Sequence, residues 1–221
     1  CDQLNFKNFI LISSDKAVRP TSIMGASKRL SELIVQAYAT KNESATTYSI
    51  VRFGNVLGSS GSVINKFNDQ IDQGNYVTVT HPEVTRFFMT VQESVNLIIH
   101  ASLMAKGGEI FLLDMGKPLK IIDVAKKMIE LRGLKVFDNI SGSGDIAIKI
   151  IGLKPGEKLY EELLIDGDAK ISNNPNIFYG KDSHIEFPKL KKLIDELQII
   201  VNENDLMKVR KFLKDKTDLK I

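Results

Sequence analysis

Short apolar runs alternate with amphipathic stretches along this chain. Phe9-Ile10-Leu11-Ile12 is an uninterrupted apolar run, the pattern of a strand covered on both faces. Leu30, Leu33, Ile34, Ala37 and Tyr38 then recur at helical period, and Pro20 followed by Thr21 or Ser22 supplies a stop and a cap for that helix. Residues 46–52 predict a second buried strand, 63–73 a helix ended by Gly74, and 76–80 a short strand. A helix over 92–105, a strand over 109–114 and a helix over 120–131 follow, the helices closed by Gly107 and Gly133. Residues 145–152 alternate as a strand and 157–164 predict a short helix. Pro188 opens a helix to about residue 201, and a last helix covers 205–215. Strands alternating with helices predict an α/β fold with a parallel sheet.

Composition narrows the picture. At 221 residues, with 43% apolar and 26% charged residues, the chain is globular and long enough for one large core or two small ones. A net charge of +3 is too small to argue for nucleic acid, and Lys189, Lys191 and Lys192 read as the wet face of a helix. The single cysteine, Cys1, excludes an internal disulfide and fits a reducing compartment. No run approaches the roughly 20 apolar residues of a membrane helix, so no membrane contact is expected within this chain. No His/Cys cluster has metal-ligand spacing.

The chemistry concentrates in Ser13-Ser14-Asp15-Lys16-Ala17-Val18-Arg19-Pro20-Thr21, followed by Met24-Gly25-Ala26-Ser27-Lys28. This polar loop follows a strand, and open α/β sheets place ligands at the C-terminal ends of strands. Met24 and Lys28, four residues apart, share one helix face. The segment resembles the extended short-chain dehydrogenase/reductases, whose helix signature is Tyr-x-x-x-Lys, here with Met24 at the Tyr position. It is most similar to the UDP-N-acetylglucosamine 4,6-dehydratases of the polysaccharide-biosynthesis family. The likeness runs on through residues 51–63, 79–90 and 152–164.

The resemblance implies the C-terminal part of a Rossmann-type NAD-binding domain over 1–114, with a substrate-contact segment over 57–86. A small nucleotide-sugar lobe with C-terminal helices would occupy 115–221. No Gly-x-Gly-x-x-Gly opens a helix, which leads to the expectation of a fragment whose NAD site is mostly upstream. It further implies a UDP-sugar substrate, a homo-oligomer, and a place in the cytoplasm or at the cytoplasmic face of an inner membrane. Such a dehydratase oxidises sugar C4, loses water across C5 and C6, and returns hydride to C6.

By residue chemistry and by resemblance, Lys16 is the candidate C5 base, Asp15 the acid at C6, and Lys28 a cationic neighbour that lowers the Lys16 pKa. A thioether at Met24 cannot carry a proton, so the O4 proton goes to Ser14, to Asp15, or through water to Lys28. The resemblance places Ser13 and Lys28 beside the cofactor. It places Asn55 and Glu157 on the sugar and ribose, with Lys154 where many relatives carry Arg. Ser60, Ser62 and the helix start that follows suit a pyrophosphate, and Arg86 is a charge-assisted partner for its oxygens. His81 either lines the site or closes a turn. A C5-inverting dehydratase, a 4-epimerase and a catalytically inert nucleotide-sugar-binding module stay open as alternatives.

Overall fold

The computed structural model describes residues 1, 4–41, 45–74, 76–164, 169–180, 182 and 184–217. They form two compact units that interleave along the chain.

The first unit comprises Cys1–Phe53, Gln92–Asp114 and Glu162–Ile221. Strands β1 (Asn8–Ile12) and β2 (Thr47–Arg52) pair in parallel, with Phe9 opposite Tyr48 and Ile12 opposite Val51. They are joined through helix α1 (Ile23–Ala39). Beyond them lie β3 (Asn55–Val56), α2 (Val63–Asp72), β4 (Tyr76–Val79), β5 (Thr85–Arg86), β6 (Phe88–Met89) and α3 (Val91–Met104). The chain then re-enters the sheet as β7 (Ile110–Leu113), parallel to β2.

The second half holds β8 (Leu119–Lys120), α4 (Ile121–Leu131), β9 (Ala147–Ile150), β10 (Lys170–Ile171), β11 (Ile177–Gly180), α5 (Phe187–Asn202) and α6 (Leu206–Thr217). The five-stranded sheet runs β1-β2-β7-β11-β10, with β11 and β10 antiparallel. Val35, Tyr48, Ile50, Ile110 and Leu112 form its core, with Phe9, Leu11 and Tyr38 packed against them.

The predicted elements appear within a few residues of their expected ends, with these differences. Residues 157–164 form bends and irregular backbone rather than a helix. There Glu157 and Leu159 serve as backbone and side-chain partners to the segment 80–86. The two-residue strands β3, β5, β6, β8 and β10 and the strand β11 have no counterpart in the sequence reading: two residues leave no pattern, and β11 is set by its pairing with β7. The expected division at residue 114 gives way to interleaving. Phe212 and Leu213 of α6 cover Ala26 and Leu30 of α1, with Leu193, Leu197 and Val209 packed around them. The C-terminal helices therefore belong with the first unit.

The second unit comprises Gly54–Val91 and Met115–Glu161. β4 and β9 pair in parallel, and α2 and α4 enclose a core of Phe67, Ile71, Val77, Val79, Ile121, Ala125, Ile129 and Ile146. Two-residue ladders join β3 to β6 and β5 to β8.

Candidate functional site

In the first unit the polar loop after β1 is an extension of the sheet. The Ser13 N–H donates to the Val51 carbonyl at 2.8 Å and the Asp15 N–H to the Phe53 carbonyl at 3.2 Å. Ser14 caps a single 3-10 turn, Asp15–Ala17: its Oγ accepts from the Lys16 N–H at 3.3 Å and donates to Asp15 Oδ1 at 2.8 Å. Lys16 Nζ donates to the same Oδ1 at 2.9 Å. Asp15 is fully buried, and its Oδ2 has no hydrogen-bond partner. Buried carboxyl oxygens usually have a donor, and this one is free to accept from a hydroxyl that enters beside it. Ser14, Asp15 and Lys16 thus form one contiguous hydrogen-bonded group.

Helix α1 is seated against this turn. Ser22 caps it, accepting from the Gly25 N–H at 3.1 Å. Met24 is half exposed on its first turn. Lys28 Nζ donates to the Ile12 carbonyl at 3.2 Å, at the C-terminal end of β1. Lys16 is ion-paired with the Asp15 carboxylate, while Lys28 is engaged by main chain at the end of β1. Ser13, expected beside the cofactor, is buried and turns its hydroxyl inward to Glu32 Oε1 at 2.6 Å.

Behind Ser13 lies a charge cluster that sequence reasoning missed. Arg52 donates through Nε and Nη2 to the two oxygens of Glu32 at 2.7 and 2.6 Å, and through Nη2 to Asp182 at 2.6 Å. Arg29 Nη1 donates to Glu32 Oε2 at 3.1 Å. Burial pushes the Glu32 carboxyl up, but hydrogen bonds and charge from Arg52, the Ser13 hydroxyl and Arg29 outweigh it and hold the group below its usual range. Burial pulls Arg52 down, and Glu32 with Asp182 more than compensates. The available signal was Arg29 and Glu32 at i, i+3 among the apolar positions Leu30, Leu33 and Ile34 of the helix, with an Arg ending a buried strand.

In the second unit Glu157 is the centre of contacts. Its Oε1 accepts from Thr80 Oγ1 at 2.8 Å and Arg86 Nη2 at 3.3 Å, and its Oε2 accepts from the Lys154 N–H at 3.1 Å. Arg86 also donates through Nη1 to the carbonyls of Thr85 and Leu159 at 2.7 and 3.3 Å, and its Nε lies 3.6 Å from Glu161 Oε1. Lys66, on α2, was not singled out from sequence. Partial burial and the neighbouring Lys154 hold its pKa below the usual lysine range, with Glu157 opposing. Ser62 caps α2 by accepting from the Asn65 N–H at 3.3 Å. Ser60 is exposed in a turn between Gly58 and Gly61, whose φ values of 75° and 70° are left-handed. Asn55 Nδ2 donates to the Phe87 carbonyl at 3.1 Å. His81 closes a turn: its Nδ1 accepts from the Glu83 N–H at 3.1 Å.

A family model described as polysaccharide biosynthesis protein matches residues 1–181. The capsular polysaccharide biosynthesis protein CapD of Staphylococcus aureus is 45% identical over 202 residues, which cover 91% of this chain and 32% of that protein. A UDP-glucose 4-epimerase of Rickettsia canadensis is 36% identical over 171 residues, 77% of this chain and 47% of that protein. Among solved structures, Pen from Bacillus thuringiensis superimposes with a TM-score of 0.69 at 34% identity, covering 89% of this chain and 64% of that one. The chain thus spans about a third of the length of CapD.

Proposed function

The chain belongs to the polysaccharide biosynthesis protein family, and on that premise we propose that it carries acid–base and nucleotide-sugar groups of an NAD-dependent 4,6-dehydratase acting on UDP-N-acetylglucosamine. The product is the UDP-linked 4-keto-6-deoxy sugar, with C5 configuration retained. The observation that carries this reading is the buried Asp15 carboxyl, with one unpartnered oxygen, beside the Lys16 amine. Removing a proton from C5 and a hydroxide from C6 requires a base and an acid together.

Bound NAD would supply the reversible hydride acceptor for C4. Lys28 is the residue of this chain suited to hold its ribose, and the glycine-rich turn for its pyrophosphate is not among these residues. The proton balance closes on two side chains. Asp15, starting as carboxylate, takes the O4 proton, directly or through the Ser14 hydroxyl that donates to it. Met24 leaves that task to them, since a thioether carries no proton. Lys16, starting as the amine, takes the C5 proton that the C4 ketone acidifies. Asp15 gives its proton to the C6 hydroxyl, which leaves as water as the C5–C6 double bond forms. The pair then stands as ammonium and carboxylate, for which the 2.9 Å separation of Lys16 Nζ from Asp15 Oδ1 is suited. Lys16 returns its proton to C5 as C6 is reduced, and both groups regain their starting states.

Arg86, Lys66 and Lys154 supply positive charge for a diphosphate, and Glu157 an acceptor for ribose hydroxyls. Asn55, Ser60 and Ser62 contact the sugar and pyrophosphate in this reading.

Incubating the full-length protein with UDP-N-acetylglucosamine in deuterated water, with the product read by NMR, tests the proposal. A 4-keto-6-deoxy product with deuterium at C5 is expected. A second reading, 4-epimerisation, is favoured by the likeness to the Rickettsia enzyme. It predicts a C4 epimer with no loss of water, which would sink the dehydratase reading.

A further inference from the structure

We propose that Glu32 is a positioning residue for the reaction, acting through Ser13 on the acid–base turn; this rests on the reading that Asp15 and Lys16 do the chemistry. Four charged side chains, Arg29, Glu32, Arg52 and Asp182, meet in the interior of the first unit. All are 4% exposed or less. Such a cluster is an expensive way to fill a core, since well-packed apolar residues of similar volume often do as well or better. Its contacts point to what it does instead.

Glu32 spends both oxygens on Arg52 and still accepts from the Ser13 hydroxyl at 2.6 Å. Ser13 immediately precedes Ser14, Asp15 and Lys16. The Arg52 side chain leaves the last residue of β2, beside Val51, whose carbonyl accepts from the Ser13 N–H. Arg52 also donates through Nη1 to the Leu163 carbonyl at 3.2 Å, so the cluster is held from several segments at once. Ser13 is thereby fixed by its main chain to the sheet and by its side chain to a charge held by two arginines. The turn that follows has one place to stand.

This matters because Asp15 is aimed by its backbone. Its side chain is one rotamer of a short residue, and Lys16 is paired to it. A shift of the turn moves base and acid together relative to the reacting carbons, and misplacement of about 1 Å can cost 10²-fold in rate. Binding of the nucleotide, by contrast, depends on groups elsewhere in the chain. The cluster should therefore act on turnover and leave affinity alone.

Ser13→Ala removes the hydroxyl that links the cluster to the turn, and is compared with Glu32→Gln and with the double variant in the full-length protein. Circular dichroism and thermal melting confirm folding, and NAD and UDP affinities are measured by calorimetry. Ser13→Ala is expected to fold, to lower kcat roughly ten- to hundredfold, and to leave KM and both affinities unchanged. Glu32→Gln should add little once Ser13 is Ala, because the two act along one path.

An unchanged kcat in folded Ser13→Ala overturns the proposal. So does weakened NAD binding with kcat intact, which would make Ser13 a cofactor contact. Effects that multiply in the double variant overturn it too. If Glu32→Gln does not fold, Ser13→Ala alone decides. The rate compared is that of whichever conversion the unaltered protein performs. Absence of dehydration there removes the dehydratase reading, while the Ser13 comparison is then read on 4-epimerisation.

Discussion

Gly25 of α1 lies directly against the carbonyl of Lys16: a Cβ at this position would stand 2.2 Å from that oxygen and 3.2 Å from its carbon. The obstacle is main chain, held by the Ser14 cap and the sheet, so no flexible side chain can give way. Gly25→Ala must push the acid–base turn off the helix. Overpacking of this kind typically costs about 1–3 kcal/mol, and the displacement falls on the residue proposed as base. The expected result is a folded protein with lowered melting temperature and at least a tenfold loss of kcat, measured by thermal denaturation and product formation. Normal turnover would show that the turn tolerates the shift.

Lys16 and Asp15 share one hydrogen bond, but the proton balance gives them separate steps, and the two variants should fail differently. Lys16→Ala leaves C4 oxidation intact and removes the base for C5, so reduced cofactor should accumulate while product falls roughly 10²–10⁴-fold. Asp15→Asn removes the acceptor of the O4 proton as well as the acid for C6. Neither reduced cofactor nor product should form. Rapid-mixing absorbance of the nicotinamide separates the two. Reduced cofactor trapped in Asp15→Asn would assign the O4 proton to Ser14 or to water at Lys28.

The cluster around Glu32 also makes stability depend on pH. Its folded-state pKa lies below the ordinary 4.5. A carboxyl depressed by folding contributes stability that is full above its unfolded pKa and is lost as pH falls toward its folded one. Urea denaturation midpoints should therefore drop below about pH 4.5 more steeply in the natural protein than in Glu32→Gln. At neutral pH, Glu32→Ala leaves two arginines without their shared carboxylate. Breaking a buried pair in this way costs about 3–5 kcal/mol. An equal acid limb in Glu32→Gln would mean that other carboxylates carry the acid transition.

Local pattern carried much of this structure. The run Phe9–Ile12, the period of Leu30, Leu33 and Ala37, and a cap at Thr21 or Ser22 predicted β1 and α1, because each depends only on neighbours in sequence. The Ser14-Asp15-Lys16 turn was legible for the same reason, since its hydrogen bonds are between adjacent residues. What escaped is non-local. Glu32 meets Arg52 across 20 positions and Arg52 meets Asp182 across 130. β11 is a strand because β7 is beside it. The helices α5 and α6 belong to the first unit through Phe212 and Leu213, whose partners no periodicity names. The position of Ser13 in the motif was visible, and its partner Glu32, 19 positions away, was not.

The contacts of Glu157 lead to a last prediction, about nucleotide binding in the second unit. Glu157 ties Thr80, Arg86 and the Lys154 main chain together, and it opposes the mutual repulsion of Lys66 and Lys154. Lys66 is held below its usual pKa by partial burial and by that neighbouring cation, so an anion arriving between such charges is favoured. Lys66→Ala should weaken UDP binding several-fold and make it less sensitive to salt, since one screened cation is gone. Glu157→Ala should do more damage than its charge suggests. It removes a repulsive carboxylate from near the diphosphate, yet releases Arg86 from its geometry and takes away the ribose acceptor. Isothermal calorimetry with UDP and with uridine separates the effects. The Lys66 loss is expected for UDP and not for uridine, whereas the Glu157 loss is expected for both. Unchanged UDP affinity in both variants would place the nucleotide elsewhere in the chain.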